Sequence, residues 1–485
     1  MTCLFSAIPL YYIKHAVLND PDIWWHMRAG EWMFQNHRIP HVDPFSTSTL
    51  GRQWVDYCWM FDAAVYWVVK QFDLVSIVWC QTIMRLAVTA ALFSLLRSLT
   101  SFWKAVALTG LGMLAMAWSL PPRPGAFSVL FFVIELHVLV SAQRKSNLRL
   151  LWILPGLFLL WANIHIEFVN GLFVLGVFSI EPFLDRLFAG SRGPRTTLDA
   201  FRRQLLIVCG ASFLAVLVNP YGIKLLTTML ELAGGGKIYD VILEFQAMFF
   251  RTINDWAVLS MLMLGCFALG RARAFRSAWG VLLAWSAWMG FRSLREVWLV
   301  TILSAVVAAS YISEEEESPV EKRDTGMAMR LAVAAAVIVV LLAGASAWSL
   351  SSRGLLRQVT ETYPVGAVNY IHRNHLQGPL LNEFSWGGFL IYALPEIPVS
   401  MDGRANVHTE EEIVRSLPLW NGEPGWENHP EVQRANLIIS NHTWALASLL
   451  RSDPRFRVVY EDHTSVLFEA VHTEKTGAQA MSPSR

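Results

Sequence analysis

The chain has 485 residues, of which 54% are hydrophobic and only 16% charged, with a mean hydropathy of +0.39 and a formal net charge of +1. A lipid bilayer is the solvent that suits such a composition, and the near-zero charge gives no polyanion signature, so no nucleic-acid partner is expected. The five cysteines (Cys3, Cys58, Cys80, Cys209 and Cys266) lie far apart with no CxxC spacing, which excludes a disulfide framework and a thiolate metal site.

Taken in chain order, residues 4–18 read as a short first membrane helix, since neither a basic n-region nor a small-residue cleavage site accompanies them. Residues 19–72 form an outer loop. Within it, Met27 to His37 has the spacing of an amphipathic helix lying on the membrane, and 55–70 reads as a second interfacial helix because Asp56, Asp62 and Lys70 interrupt a short apolar run. Apolar stretches of spanning length follow at 73–96, 102–120, 125–142, 150–164, 168–185, 204–218, 256–270, 277–291, 294–312 and 328–350. The predicted fold is therefore mostly α, a polytopic membrane protein of about eleven transmembrane helices over residues 1–350. Arg144, Lys145, Arg202, Arg203, Arg271 and Arg276 cluster in alternate loops, which are assigned to the cytoplasmic side. That places 19–72, 219–255 and everything beyond 350 outside. Glu314 to Glu317 then fall in an inner, solvated linker.

Beyond Leu350 the composition becomes that of a soluble domain, 351–472, followed by a tail at 473–485 expected to be disordered. Extended apolar runs at 379–383, 397–401, 436–440, 456–460 and 465–469, with helix-like 408–419 and 442–451, predict a small α/β unit. It contains neither a P-loop nor GxGxxG. Glycines beside polar groups in Asn382-Glu383-Phe384-Ser385-Trp386-Gly387-Gly388 and Met401-Asp402-Gly403-Arg404 fit either an acceptor-glycan site or cover over the membrane site, or turn chemistry with an Asp–Arg ion pair.

The outer loop opens on Asp20-Pro21-Asp22-Ile23-Trp24-Trp25-His26. Carboxylates pressed against indoles lose hydration and move toward the pKa of a useful base; the alternative is an aromatic belt with a helix-capping Asp. Further acids follow at Asp43 and Asp56. The same topology puts Arg123, Asn163, His165, Glu167, Asn219, Glu244, Gln246, Arg292, Arg295 and Glu296 at helix ends on the same outer face. Ionisable groups at membrane depth are costly, which marks a functional site. A carboxylate that activates an acceptor hydroxyl, with Arg and His on a phosphate leaving group, is the chemistry this set suits.

With these features the chain resembles the GT-C superfamily of membrane glycosyltransferases, in particular the bacterial proteins related to protein mannosyltransferases and aminoarabinose transferases. The likeness lies in the acidic motif after helix one, the amphipathic outer loop at 27–70, the many spans and the outer C-terminal domain. Arg123-Pro124, Trp161-Ala162-Asn163-Ile164-His165, Asn219-Pro220-Tyr221-Gly222, Trp386-Gly387-Gly388 and Met401-Asp402-Gly403-Arg404 are similar to segments of such bacterial members. The resemblance implies transfer of a sugar from a polyprenyl-phosphate-linked donor to a glycan, lipid or protein acceptor, at the outer face of a bacterial inner membrane. Asp22 matches the family's catalytic or metal-binding acid, with Asp43 or Asp56 as a second, and a divalent cation, magnesium or manganese, as the cofactor left open. Asp20-Pro21-Asp22 departs from the mannosyltransferases' Asp-Glu pair. Arg123, His165, Arg292 and Arg295 would hold the phosphate, and Trp24, Trp25, His26, Asn163, Asn219 and Glu244 would line the sugar or acceptor pocket. Two rivals stand beside this reading. One is a transporter or flippase, for which no internal repeat is found; the other is a non-catalytic polysaccharide-assembly protein.

Overall fold

A computed structural model describes residue 18 and residues 20–189, 200–234, 242–272, 276–312 and 352–471. The chain divides into two compact units. One is Met1–Val42 with Gln53–Gln358, the other Asp43–Arg52 with Val359–Arg485.

Among its described residues the first unit is built of helices joined by loops, with an isolated bridge at Val42 and Gln53. It opens with Asp22–Asn36 and Trp59–Phe72, the two helices expected of the outer loop, the first starting five residues earlier than its apolar spacing indicated. They lie against each other at Gly30, where a Cβ would stand 2.1 Å from the Asp62 carbonyl oxygen, so any larger residue would force them apart. Of the eleven expected spans, 328–350 and all of 4–18 except Leu18 lie outside the described residues, as do Glu314 to Glu317. Each of the other nine contains a helix. Only four of these, Val75–Leu99, Gly125–Arg144, Ile253–Gly270 and Leu294–Tyr311, are long and apolar enough to cross a membrane singly. Phe168–Ser179 and Glu181–Phe188 make a fifth if counted as one span bent by 63°, while Phe102–Ala115 and Leu148–Ile164 are shorter apolar helices. The described residues thus support four to five spans by length and composition, those of a multi-pass membrane protein. Besides the two expected spans outside the described residues, the difference arises where a run forms short helices, as 168–185 does in Phe168–Ser179 and Glu181–Ala189.

The core centres on Leu294–Tyr311, 78% of whose apolar window is buried. This helix is hydrophobic on every side, and it packs against Ile253–Gly270, Ser277–Arg292, Phe102–Ala115 and Val75–Leu99. Such all-round burial needs apolar residues at every position rather than along one stripe. Thr252 begins Ile253–Gly270 with a capping box, its hydroxyl accepting from the Asp255 amide while the Asp255 carboxylate accepts from the Thr252 amide.

The second unit carries a four-stranded sheet in the order β1-β2-β4-β3, comprising β1 (Leu380–Asn382), β2 (Leu437–Asn441), β3 (Phe456–Glu461) and β4 (Ser465–Ala470). β1 pairs parallel with β2, and β4 antiparallel with both β2 and β3. Leu381, Ile438 and Phe468 on the sheet meet Trp420 and Leu446 in one core. The expected strand at 397–401 is not a member of the sheet. There Val399 makes only an isolated parallel bridge with Ser46, so its apolar run is buried by the inserted segment Asp43–Arg52 instead of by neighbouring strands. Trp386-Gly387-Gly388 lies inside the helix Phe384–Ala393 rather than in a turn. The tail at 473–485 lies outside the described residues.

Candidate functional site

The site lies in the first unit and is built from helix ends. Asp22 stands in the first turn of its helix, Arg123 just before Gly125–Arg144, and His165 just after Ile153–Ile164. Glu167 immediately precedes Phe168–Ser179, Glu244 lies in a single 3-10 turn, and Arg295 sits at the start of Leu294–Tyr311. Helix termini leave backbone groups for polar partners, and the connecting loops bring these side chains together.

Arg123 is the hub. Its Nε lies 2.8 and 2.6 Å from the two carboxylate oxygens of Asp20, and its Nη1 is 3.0 Å from Asp22 and 2.8 Å from Glu244. Asp22 also accepts a hydrogen bond from Trp25 Nε1 at 3.1 Å. Its backbone amide donates to Asp20. Burial pushes the Asp22 carboxyl up to about 6; Arg123 pulls the other way, while Asp20 and Glu244 add to the rise. The side chain nevertheless retains 18% of its surface, so it is a reachable acid with a base's pKa.

A second pole adjoins the first. Arg295 pairs with Glu167 at 3.2 Å and approaches Glu244 at 3.7 Å, so Glu244 links the two arginines. His165 Nε2 is 3.3 Å from Arg295, and its Nδ1 is 2.8 Å from the Ser128 hydroxyl, which also accepts from Trp161 Nε1. Burial would raise Glu167, but His165 and Arg295 outweigh it and hold the carboxylate below its ordinary value. Glu244 is likewise lowered against burial by Arg123 and Arg295.

Beside this centre lie His26, expected to line the pocket, and two side chains that had no role in the sequence reading, Asp62 and Tyr57. His26 Nδ1 lies 2.6 Å from Asp62, a pair almost wholly buried, and its ring packs 3.6 Å from that of Trp25. Burial, with help from Arg123 and His165, drives the His26 pKa well below normal. Tyr57, whose ring is 6.2 Å from that of His165, has its hydroxyl pKa raised by burial. Asp62 and Tyr57 fall within the run 55–70, in which Asp56 alone was a candidate site residue.

Not every expected site residue joins the cluster. Asp43 belongs to the second unit. There it accepts from Thr49 at 2.5 Å and from Arg404 at 2.7 Å, which makes it a structural acid. Asp56 is buried and caps the turn before Trp59–Phe72 by accepting from the Cys58 amide. Asn163 accepts from Trp59 Nε1 and donates to the carbonyls of Leu159 and Val218. Asn219 shapes its own turn by bonding the Tyr221 amide and the Val216 carbonyl. Arg292 lies over the Trp288 ring. Trp24 is fully buried, and Trp25 meets Trp54 edge-on.

The donor set does not fit a divalent cation. Arg123 occupies the point on which Asp20, Asp22 and Glu244 converge. Among the described residues no group of three or more His, Cys, Asp or Glu side chains is arranged to hold a metal ion.

In the second unit, the Asp402-Gly403-Arg404 motif forms a closed ion-pair network. Arg404 donates to Asp402, Asp43 and the Ser46 hydroxyl, and His408 lies 3.1 Å from Asp402; Arg404, Asp43, Asp402 and His408 have side chains with no exposed surface. Burial alone would raise Asp402, but Arg404 and His408 hold it well below the usual carboxylate range.

No protein-family model matches the chain, and no curated protein matches it. Among solved structures, an oligosaccharyltransferase from Archaeoglobus fulgidus matches in two forms, the apo enzyme and the enzyme tethered to an acceptor peptide containing an NVT sequon. Each superposes with a TM-score of 0.53 at 12% identity; the match spans 91% of this chain and, for the peptide-tethered form, 68% of the other. ArnT from Cupriavidus metallidurans, bound to undecaprenyl phosphate, covers 97% of this chain and 98% of its own at 14% identity, with a TM-score of 0.45. At an identity where sequence comparison finds nothing, the chain shares its fold with the archaeal oligosaccharyltransferase.

Proposed function

We propose that the chain is an integral membrane glycosyltransferase that moves a sugar from a polyprenyl-phosphate-linked donor to an extracytoplasmic glycan, lipid or protein acceptor. The observation that carries this reading is the juxtaposition of Asp22, a reachable carboxyl raised to about 6, with the His165–Arg295 pole. A GT-C fold supports it.

In this mechanism Asp22 takes the proton of the acceptor hydroxyl as the hydroxyl oxygen bonds to the anomeric carbon. The bond from that carbon to the phosphate oxygen breaks, and the electron pair leaves with the polyprenyl phosphate. Arg295 and His165 face the developing charge, which fixed donors in a dry site stabilise strongly. Arg123 holds Asp22 in place, and Trp25 positions its carboxylate through the indole hydrogen bond. His26, fixed by Asp62, forms the wall beside Trp25. No step is routed through a metal ion.

The test is transfer of radiolabelled sugar from a panel of polyprenyl-phosphate sugars to membrane acceptors, with purified protein in liposomes and Asp22→Asn beside it. A positioned general base contributes about 10²–10⁴-fold, and loss of that order in the variant is the expected result. Equal transfer by both proteins removes Asp22 from the chemistry. No transfer by either, while Asp22→Asn still complements a deletion strain, moves the reading to transport or assembly.

A further inference from the structure

We infer that Arg123 is the resident cation of the acidic cradle, standing in the position that a divalent metal would otherwise take, and that the chain binds neither magnesium nor manganese there. The inference rests on the geometry of the cluster and not on the transfer reaction.

The six oxygens of Asp20, Asp22 and Glu244 are all engaged. Both oxygens of Asp20 face Arg123 Nε, and one also accepts from the Asp22 amide. Asp22 gives one oxygen to Trp25 and the other to Arg123. Glu244 gives one to Arg123 and turns the other toward Arg295. A hard divalent ion needs several oxygens at about 2.0–2.6 Å, and here the oxygens that would supply them face guanidinium, indole and amide protons. To enter, the ion would have to displace a fixed positive charge.

The sequence makes that displacement difficult. Arg123 lies in Pro121-Pro122-Arg123-Pro124, where the prolines on either side fix φ and restrict the residues before them. The next residue begins Gly125–Arg144. The guanidinium is therefore held by its backbone as well as by its carboxylates. A guanidinium also stays protonated at any working pH, so the cradle keeps its counter-charge without depending on a metal supply.

The experiment is a manganese chloride titration of detergent-purified protein, read by the EPR signal of free Mn²⁺, for the unaltered chain, Arg123→Ala and Arg123→Ala/Asp22→Asn. The expected result is no saturable site on the unaltered chain up to roughly 1 mM, the weak end of carboxylate sites. Arg123→Ala, which frees three carboxylates, should gain one site at least about tenfold tighter, and the double variant should lose it. One Mn²⁺ per unaltered chain, abolished by Asp22→Asn alone, would overturn the inference. So would an Arg123→Ala protein that stays folded by circular dichroism yet gains no site. If Arg123→Ala does not fold, the titration of the unaltered chain still decides. Because binding is read without any sugar transfer, failure here is distinct from failure of the proposed activity.

Discussion

The two units each grip an arginine with carboxylates, and they do opposite things with it. Around Arg404 every charge is satisfied and sealed, and Asp402 is held far below its ordinary pKa. Around Arg123, one guanidinium with 21% of its surface exposed serves three carboxylates, and Asp22 is raised to about 6. The same pairing chemistry therefore stabilises one unit and leaves a poised acid in the other. What separates them is the ratio of donors to acceptors and access to the surface. A closed network is a structural device, whereas an under-compensated one that can be reached is where chemistry is expected.

The comparison can be broken most sharply from the sealed side. Arg404→Ala should leave Asp43 and Asp402 buried without their cation, at a cost of about 3–5 kcal/mol, seen as a large fall in the unfolding midpoint of the purified chain. A midpoint unchanged by that substitution would mean that the network carries no stability. Next in size is the pH response of the open site. Transfer should rise as pH passes through about 6, when Asp22 loses its proton, and Asp22→Asn should remove that limb. Stability runs the other way at this group. Its folded pKa is raised, so its contribution is complete below the ordinary carboxylate pKa and is lost as pH rises through about 6. Asp402 has the reverse sign. Its contribution is present above the ordinary carboxylate value and is lost only as pH falls through a folded pKa well below it. Thermal melts between pH 4 and pH 7 should therefore show no loss from the Arg404 network. The smallest expected effect is that of Trp444→Phe, which removes the indole hydrogen bond to the buried Glu383 carboxylate. Leaving that acceptor short of a donor should cost about 1–3 kcal/mol, at the lower end because Ser385 still donates to it.

The helices of the first unit were largely legible, since a bilayer-facing run must be apolar whatever it packs against. The polar helix-end residues were legible for the complementary reason, that a charge at such a depth is conspicuous. Which of them meet was not. Arg123 and Asp20 are separated by 103 residues, and periodicity carries no information about pairing at that distance. Asn163 and Asn219 illustrate the limit: a buried amide that satisfies nearby carbonyls and one that binds a ligand read alike as sequence. Asp43 shows the same limit for carboxylates, because its neighbours in the chain suggested the acidic loop while its partner Arg404 lies 361 residues away. The helix Phe384–Ala393 was hidden by Trp386-Gly387-Gly388, whose glycines suggested a turn. In fact Gly387 is needed for close packing, as a Cβ there would lie 2.1 Å from the Met401 carbonyl oxygen.

The insertion of Asp43–Arg52 into the second unit has a consequence for synthesis. Ser46 leaves the ribosome long before its partner Asp402, which follows 356 residues later; at about 5–20 residues per second the interval is roughly 20–70 s. During that time the ten-residue segment lacks the strand-like run at Val399 and the cation of Arg404, both of which it requires. The second unit cannot be completed from its own contiguous stretch. Its last assembly step joins two parts of the chain that are made 356 residues apart.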